Sequence, residues 1–299
     1  MKLSWLNFLF ILAAASLAAQ TPHPEQGLPG PHTYQNPSPM VEHTRAHPRL
    51  TKQTPRGRRE KLALGTLFIP AKEKDAASLR LFIFFHSNNA WLPEVAVARE
   101  PRMAVVNVYA GEGSLTYATL FADPAKFANL IAEAESKSGV KFSEIDLGGW
   151  SAGCSAEEAI LNDPISYMRI TRVLCIDGMH TGYINGKPGP LESQILTAGL
   201  QPWVKFGRDA IAGKKCLIIT HSEIFPGTFA STTETADYLL RQWGLKPHSV
   251  LKWGPMQTQI LSETQAGRLL VVGFAGNSGP DHLDEMESLP EYLKWLMSK

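Results

Sequence analysis

Short apolar runs alternate with helix-like segments along most of this chain. The runs at residues 79–85, 103–109 and 172–176 are almost continuously apolar, which is typical of strands covered on both faces. Further strands are predicted at residues 64–70 (an edge strand), in the stretch that ends at Gly148, and at residues 215–220 and 268–274. Strands that alternate with helices predict an α/β fold, with a mostly parallel central sheet and helices on both faces.

Several helix boundaries are marked by local chemistry. Asp123 can cap a helix that continues to about Lys137, and Pro124 is tolerated in its first turn. Ser231 and Glu234 have the spacing of a capping box, which predicts a helix that begins just after Ser231. Helices are also predicted at residues 154–161, 202–212 and 289–297. These helices alternate with the predicted strands, as the α/β interpretation requires.

The first 60 residues differ in composition from the rest. Residues 1–19 combine a basic Lys2, an almost wholly apolar run and small residues at 16 and 18, which is typical of a secretory signal peptide. The apolar run is shorter than the about 20 residues that a membrane-spanning helix needs. Residues 20–60 are rich in Pro, His and Thr and are predicted to form a disordered leader. We therefore expect a secreted or periplasmic protein whose folded domain comprises residues 61–299.

Charge and composition narrow the class of partner. The 299 residues carry a formal net charge of +1 and are 44% hydrophobic, which suits one α/β domain with a large core. A near-neutral balance gives no reason to expect nucleic acid or an anionic membrane surface as a partner. We expect a small-molecule partner, and no stable membrane insertion once the signal is removed.

The three cysteines all lie in apolar or small-residue elements. Cys154 is in a predicted helix, and Cys175 and Cys216 are in predicted strands. We expect buried thiols that pack as small hydrophobic groups. A disulfide between Cys175 and Cys216 is the alternative if their strands are neighbours. The sequence has no spacing typical of a zinc site, so no metal is predicted.

One short motif carries the clearest chemical signal. Residues 149–153 read Gly-Trp-Ser-Ala-Gly, between a predicted strand and a predicted helix. A tight strand-to-helix turn of this kind projects the hydroxyl of Ser151 clear of the backbone, where a base can reach it. The turn also places the backbone N–H of Ala152 at a helix start, where it can bind an oxyanion. Ser151 is therefore the candidate nucleophile.

This strand, motif and helix resemble the nucleophile elbow of the α/β-hydrolase family, and the likeness covers roughly residues 61–299. The resemblance implies an esterase or lipase-like serine hydrolase whose histidine follows the last strand. A Gly/Pro-rich loop after residues 268–274 presents His282, the only histidine beyond that strand, so His282 is the expected general base. The family also implies a short lid-like insertion, here between residues 181 and 200.

Two carboxylates compete for the third role, in which an acid orients the imidazole. Glu223 follows the penultimate strand, where the family usually places its acid. Asp177 follows the strand after the nucleophile helix, a position that some lipase-like members use. We expect Glu223 slightly ahead of Asp177, with Asp281 and Asp284 next.

The second oxyanion donor is expected from the loop after residues 79–85. There the family often carries His-Gly, whereas this chain has His86 followed by Ser87. The backbone N–H of Ser87 or Asn88 is the predicted donor, since every residue except proline has one. The predicted walls of the substrate site are His86, Trp91 and Trp150.

These residues predict a secreted serine hydrolase that cleaves a carboxylic ester through an acyl-enzyme intermediate, with no metal or organic cofactor. A peptidase or an acyltransferase is the alternative on the same machinery. A hydrolase-like binding protein without activity is an alternative of another class, which the departure at Ser87 favours. A metal-dependent hydrolase that uses Asp177, His180 and His282 is a more distant alternative.

The signal interpretation predicts where the mature chain starts. Exported protein should begin near Ala19 or Gln20, because a signal peptidase cuts after small residues. N-terminal sequencing of protein recovered from the medium or the periplasm measures this directly. Recovered protein that still begins at Met1 would count against cleavage on export.

Overall fold

The computed structural model describes residues 51–186 and 194–299. The predicted signal at residues 1–19, most of the predicted leader, and residues 187–193 of the predicted lid-like insertion lie outside the described residues. Within the two described stretches, no helix is both long and apolar enough to span a membrane.

Ten strands of the described residues form one sheet. In chain order they are β1 (Gly57–Lys61), β2 (Thr66–Pro70), β3 (Ser78–Phe85), β4 (Met103–Val108), β5 (Lys141–Trp150), β6 (Ile170–Ile176), β7 (Cys216–Ser222), β8 (His248–Trp253), β9 (Gln259–Ala266) and β10 (Leu269–Phe274). Their order across the sheet is β1-β2-β4-β3-β5-β6-β7-β10-β9-β8. The pairs between β4 and β10 are parallel, and the pairs at both edges are antiparallel. The predicted mostly parallel central sheet is confirmed.

Helices cover both faces of this sheet, as predicted. They are α1 (Trp91–Arg99), α2 (Ser114–Phe121), α3 (Pro124–Ser138), α4 (Cys154–Asn162), α5 (Pro164–Arg169), α6 (Gln201–Ile211), α7 (Thr232–Gln242), α8 (Gly279–Glu287) and α9 (Leu289–Ser298). The core under α1, α8 and α9 includes Phe82 and Phe84 of β3. The core under α2, α3, α4, α6 and α7 includes Leu81 and Ile83 of the same strand. Because successive side chains of a strand point to opposite faces, β3 supplies both cores.

The helix-start signals act as predicted. Asp123 caps α3 by accepting a hydrogen bond from the N–H of Ala125 at 3.0 Å. At the start of α7, the hydroxyl of Ser231 accepts from the N–H of Glu234 at 3.2 Å, and the Glu234 carboxylate accepts from the N–H of Ser231 at 2.8 Å. This capping box fixes the first turn of α7, which contributes Thr232 to the site described below.

The sheet is wider than the sequence pattern indicates. The predicted leader ends in β1, which pairs with β2 from Gly57 onward, so the folded part begins before residue 61. The prediction of an edge strand at residues 64–70 is therefore wrong, because β2 lies between β1 and β4. The sequence pattern does not predict the β8–β9 hairpin, because β8 is mostly exposed and neither strand is a continuous apolar run.

The three cysteine sulfurs are unbonded, and all three residues are buried. Cys175 and Cys216 are on the neighbouring strands β6 and β7, yet they do not face each other. In the register, Cys175 lies opposite Ile219 and Cys216 lies opposite Arg172. The two side chains also enter the cores on opposite faces of the sheet. The alternative of a Cys175–Cys216 disulfide is therefore excluded by geometry.

A buried ion-pair cluster joins β3, β5 and β6 away from their carboxyl ends. The Asp146 side chain is fully buried, and Nη1 of Arg80 lies 2.9 Å from its Oδ2. Nη1 of Arg172 lies 3.8 Å from Oδ1 of Asp146, and both arginines also contact Glu144. Burial is the largest influence on Asp146 and raises its pKa to about 6, although the two arginines oppose the rise. The carboxylate therefore depends on its cationic partners.

Removing one cationic partner of Asp146 should show how far the stability of the protein depends on this ion pair. Arg80→Met leaves the buried Asp146 with only the longer contact to Arg172, and we expect a loss of about 3 kcal/mol in the free energy of unfolding. Urea unfolding at pH 7 measures the loss. Lys252→Met is the matched control, because it removes an ion pair with Glu263 in which the lysine is half exposed, and should cost less than about 1 kcal/mol. Equal small losses would contradict the assigned role of Arg80.

Candidate active site

Strand β5 ends at Trp150, and the chain turns sharply through Ser151 into α4. Ser151 has a φ of 51°, a left-handed conformation that non-glycine residues rarely adopt. Glycines make room for this turn. A Cβ on Gly149 would lie 2.8 Å from the backbone of Gly153, and a Cβ on Gly178 would lie 2.2 Å from the carbonyl oxygen of Ser151. The strand–turn–helix geometry that the motif predicts is present.

Asp177 is the centre of a buried hydrogen-bond network. It follows β6, has a φ of 40° and is 1% exposed. Its Oδ1 accepts hydrogen bonds from the N–H of Ser222 at 3.0 Å and from the hydroxyl of Thr232 at 2.6 Å. Its Oδ2 accepts from the hydroxyl of Ser222 at 2.8 Å and lies 2.7 Å from Nδ1 of His282. One carboxylate thereby connects β6 with β7, α7 and α8.

The surroundings of Asp177 keep its carboxylate ionised. Burial, the largest influence, raises the pKa of a carboxyl. Here the hydrogen bond and charge of His282, together with the hydroxyls of Thr232 and Ser222, outweigh burial and hold the pKa of Asp177 well below its usual range. An ionised carboxylate can only accept, so the proton in the contact belongs to Nδ1 of His282. In the neutral ring, Nε2 is then the nitrogen that can accept a proton.

His282 is in the first turn of α8, whereas the sequence predicts a loop. Ser278 caps this helix by accepting from the N–H of Asp281, and Oδ2 of Asp281 accepts from the N–H of Ser278 at 3.0 Å. The indole N–H of Trp150 donates to the backbone carbonyl of His282 at 3.0 Å, and the two ring centroids lie 4.6 Å apart. The helix cap and Trp150 together fix both the backbone and the ring of His282.

Two further rings extend the aromatic contacts of Trp150. His86 stacks on Trp150 with ring centroids 5.2 Å apart, and Tyr109 stacks on the other side of His86 at 5.8 Å. Nδ1 of His86 lies 3.1 Å from the hydroxyl of Tyr117. Burial lowers the pKa of His86, which favours a neutral stacking ring. The stacked ring of His86 therefore helps to fix the position of the Trp150 ring.

Ser151, Asp177 and His282 line one cavity of about 200 Å³. The other lining residues are His180, Ile224, Pro226, Phe229, Thr232 and Gly279. The His180 ring packs edge-on against Phe229, with centroids 5.0 Å apart. Burial, and secondarily the charge of His282, lower the pKa of His180 to about 4, so His180 is neutral at pH 7. Beside the polar groups, the cavity therefore has apolar walls from Ile224, Pro226 and Phe229 and a neutral His180 ring.

The structure does not bring Glu223 to His282. The side chain of Glu223 is exposed, and its backbone N–H donates to the carbonyl oxygen of Gly276 at 3.0 Å. Asp177 lies beside Nδ1 of His282 instead. Asp177 therefore occupies the position predicted for Glu223, because Ser222 at the end of β7 turns inward to Asp177 and the next side chain faces solvent. Sequence order alone does not reveal this direction.

The candidate oxyanion donors lie at the carboxyl ends of β5 and β3. Ala152 is buried in the turn that precedes α4. Ser87 is also buried; its hydroxyl donates to the carbonyl of Asn89 at 3.1 Å, and its carbonyl accepts from the side chain of Asn107 at 3.0 Å. Neither contact uses the backbone N–H of Ser87. Asn88 is exposed, so Ser87 is the better fixed of the two.

The two tryptophans predicted as walls of the substrate site have different surroundings, and two residues that the sequence does not predict contact Asp177. Trp91 begins α1 and packs against the core under α1 and α9, whereas Trp150 reaches the site through His282. Ser222 and Thr232 contact Asp177, and the sequence pattern predicts neither contact. The capping box places a helix start at the position after Ser231, but a helix start does not by itself show which side chain its first residue contacts.

The chain has an α/β-hydrolase fold. This fold is defined by the strand order, by the sharp turn at Ser151, and by the positions of Asp177 after β6 and His282 after β10. No protein-family model and no curated protein matches the chain.

Similar solved structures include three ester-cleaving or depolymerising enzymes. Carboxylesterase CesB (YbfK) from Bacillus subtilis has a TM-score of 0.41 at 12% identity, over 82% of this chain and 92% of that one. LpqC, a poly(3-hydroxybutyrate) depolymerase from Bordetella parapertussis, has a TM-score of 0.44 at 12% identity, over 78% and 85%. The thermophilic esterase Est2 from Thermogutta terrifontis has a TM-score of 0.44 at 16% identity, over 78% and 87%.

Proposed function

We propose that this protein is a serine hydrolase that cleaves a carboxylic ester of a small molecule. One observation carries the proposal: Ser151, His282 and Asp177 line one cavity, with Nδ1 of His282 2.7 Å from the buried carboxylate. A hydroxyl, an imidazole and an orienting carboxylate are the groups that acyl transfer through a serine requires. The signal-like residues 1–19 support an activity outside the cytoplasm.

In the proposed reaction, His282 takes the hydroxyl proton of Ser151 while that oxygen bonds to the ester carbonyl carbon. The alcohol leaves with the proton from His282, and the acyl group remains on Ser151. His282 then takes a proton from water as the water oxygen bonds to the acyl carbon. Ser151 leaves with that proton, the carboxylic acid is released, and the enzyme is restored.

Asp177 has two tasks in this reaction. Its carboxylate holds the proton on Nδ1 of His282, which leaves Nε2 to face the serine, and its charge stabilises the imidazolium that forms. The hydroxyls of Ser222 and Thr232 satisfy its remaining lone pairs, so the carboxylate cannot turn away without breaking several hydrogen bonds. This support favours Asp177 over Glu223 as the acid.

The oxyanion of the tetrahedral intermediate needs donors that are already in place. The backbone N–H of Ala152 belongs to the turn that leads into α4, where the helix dipole favours negative charge. The backbone N–H of Ser87 is the proposed second donor, since the contacts of its hydroxyl and carbonyl hold the loop after β3. A serine in the place of the usual glycine is compatible with this role, because the donor is the backbone.

The cavity supports a substrate with a small apolar group. Its volume of about 200 Å³ is modest, and Ile224, Pro226 and Phe229 form much of its wall. An apolar group that leaves water for such a wall gains hydrophobic free energy. We therefore expect esters with short apolar acyl or alcohol parts to be cleaved faster than esters with long chains.

Ser151→Ala should abolish turnover of a short-chain p-nitrophenyl ester and labelling by a fluorophosphonate, because the attacking oxygen is absent. Circular dichroism checks that the fold is kept. Ser249→Ala is the control, since Ser249 is exposed on β8, and it should retain both properties. Labelling that persists in the Ser151 variant would move the nucleophile elsewhere. Wild-type protein that takes no label would favour the binding-protein alternative.

Asp177→Asn should lower kcat by about 10³- to 10⁴-fold, because the amide cannot hold the required tautomer or stabilise the imidazolium. Glu223→Gln makes the same chemical change on a nearby exposed residue and should lower kcat less than about tenfold. Steady-state kinetics of both folded variants on one ester decides between them. The reverse ranking would return the acid role to Glu223.

A further inference from the structure

Two cysteine sulfurs approach each other directly behind the elbow. Sγ of Cys175, near the end of β6, lies 2.9 Å from Sγ of Cys154, the first residue of α4. This separation is shorter than an ordinary contact between two sulfur atoms and longer than the about 2.05 Å of a disulfide bond. The two side chains therefore point at each other, and less than about one ångström of movement would join them.

The sulfurs lie between two parts of the proposed active site. Cys154 is three positions after Ser151, and Cys175 is two positions before Asp177. Sγ of Cys154 also lies 3.4 Å from the carbonyl oxygen of Gly149, on the opposite side of the elbow. A bond between the sulfurs would tie the helix that follows Ser151 to the strand that positions Asp177.

We propose that Cys154 and Cys175 form a disulfide bond when the chain matures in an oxidising compartment. Each thiol loses a proton, the two sulfurs form one bond, and two electrons reduce the disulfide of an oxidant such as oxidised glutathione to two thiols. Cys216 stays a free thiol, because its side chain is in the core on the opposite face of the sheet.

The bond forms while the chain folds. Both cysteines are fully buried in the finished structure, out of reach of a large oxidant. Burial raises the pKa of the Cys154 thiol well above its usual range, so the native thiol is a poor nucleophile. In the folding chain, the same thiols are still accessible. Once formed, the bond limits the freedom of the unfolded chain between the two cysteines and so stabilises the folded state.

A bound metal ion is the competing explanation for this cluster. The carboxylate of Glu157 is buried beside the Cys154 thiol, and one of its oxygens lies within 4.8 Å of both sulfurs. Two thiolates on one tetrahedral zinc, each about 2.3 Å from the ion, would be about 3.8 Å apart. The sulfurs are closer than that, which favours a bond between them over a shared ion.

The test counts thiols in the full chain after export to an oxidising compartment. The protein is unfolded in guanidinium without reductant and alkylated, and its peptides are analysed by mass spectrometry. We expect one alkylated cysteine, Cys216, and a peptide pair linked through Cys154 and Cys175. Three alkylated cysteines, or a link that includes Cys216, would overturn the proposal. Zinc retained at one equivalent per chain, measured by elemental analysis, would also overturn it.

Matched variants distinguish the effect of the disulfide bond on stability from a general effect of a substitution on folding. Cys216→Ser should keep the linked peptide pair, and dithiothreitol should lower its Tm by several degrees, as in the wild type. Cys175→Ser should lose the pair, and reductant should leave its Tm unchanged. If Cys175→Ser does not fold, the peptide map of Cys216→Ser still decides the matter. These readouts need no turnover, so they are independent of the proposed hydrolase activity.

Discussion

The buried charge of Asp177 is the constraint on which the site depends. A carboxylate removed from water is costly unless donors surround it, and here Ser222, Thr232 and His282 supply them. These donors come from β7, α7 and α8, so the charge holds three elements in one arrangement around the end of β6. The contact of Asp177 with Nδ1 leaves Nε2 as the nitrogen of His282 that is not engaged by this carboxylate, and His282 lines the cavity.

Strained backbone marks the same edge of the sheet. His86, Ser151 and Asp177 follow β3, β5 and β6, and all three have positive φ values of 70°, 51° and 40°. Such conformations persist only where the surrounding packing enforces them, and they concentrate at functional sites. Close contacts around Gly153 and Gly178 enforce them here. The parallel strands thereby deliver an imidazole ring, a hydroxyl and a carboxylate to one edge, and α8 brings His282 to meet them.

The sequence predicts the elements whose chemistry is local. The glycines around Ser151, the cap at Asp123 and the apolar run of β3 each act through near neighbours, so their patterns can be read directly. The choice between Asp177 and Glu223 is different, because it depends on which side chain at the end of β7 turns inward. The partnership of Cys154 with Cys175 also depends on packing between a helix and a strand. Such directions arise from tertiary contacts, which no pattern along the chain records.

We propose that Ser151, His282 and Asp177 act as one catalytic unit. A crystal structure of the protein after reaction with a small alkyl phosphonate would show whether they do, because the adduct resembles the tetrahedral intermediate. We expect continuous density from Oγ of Ser151 to phosphorus, a phosphonyl oxygen on the N–H of Ala152, and an unbroken contact between His282 and Asp177. An adduct on another residue, or an imidazole that leaves Asp177 for Glu223, would show that these three residues do not act together.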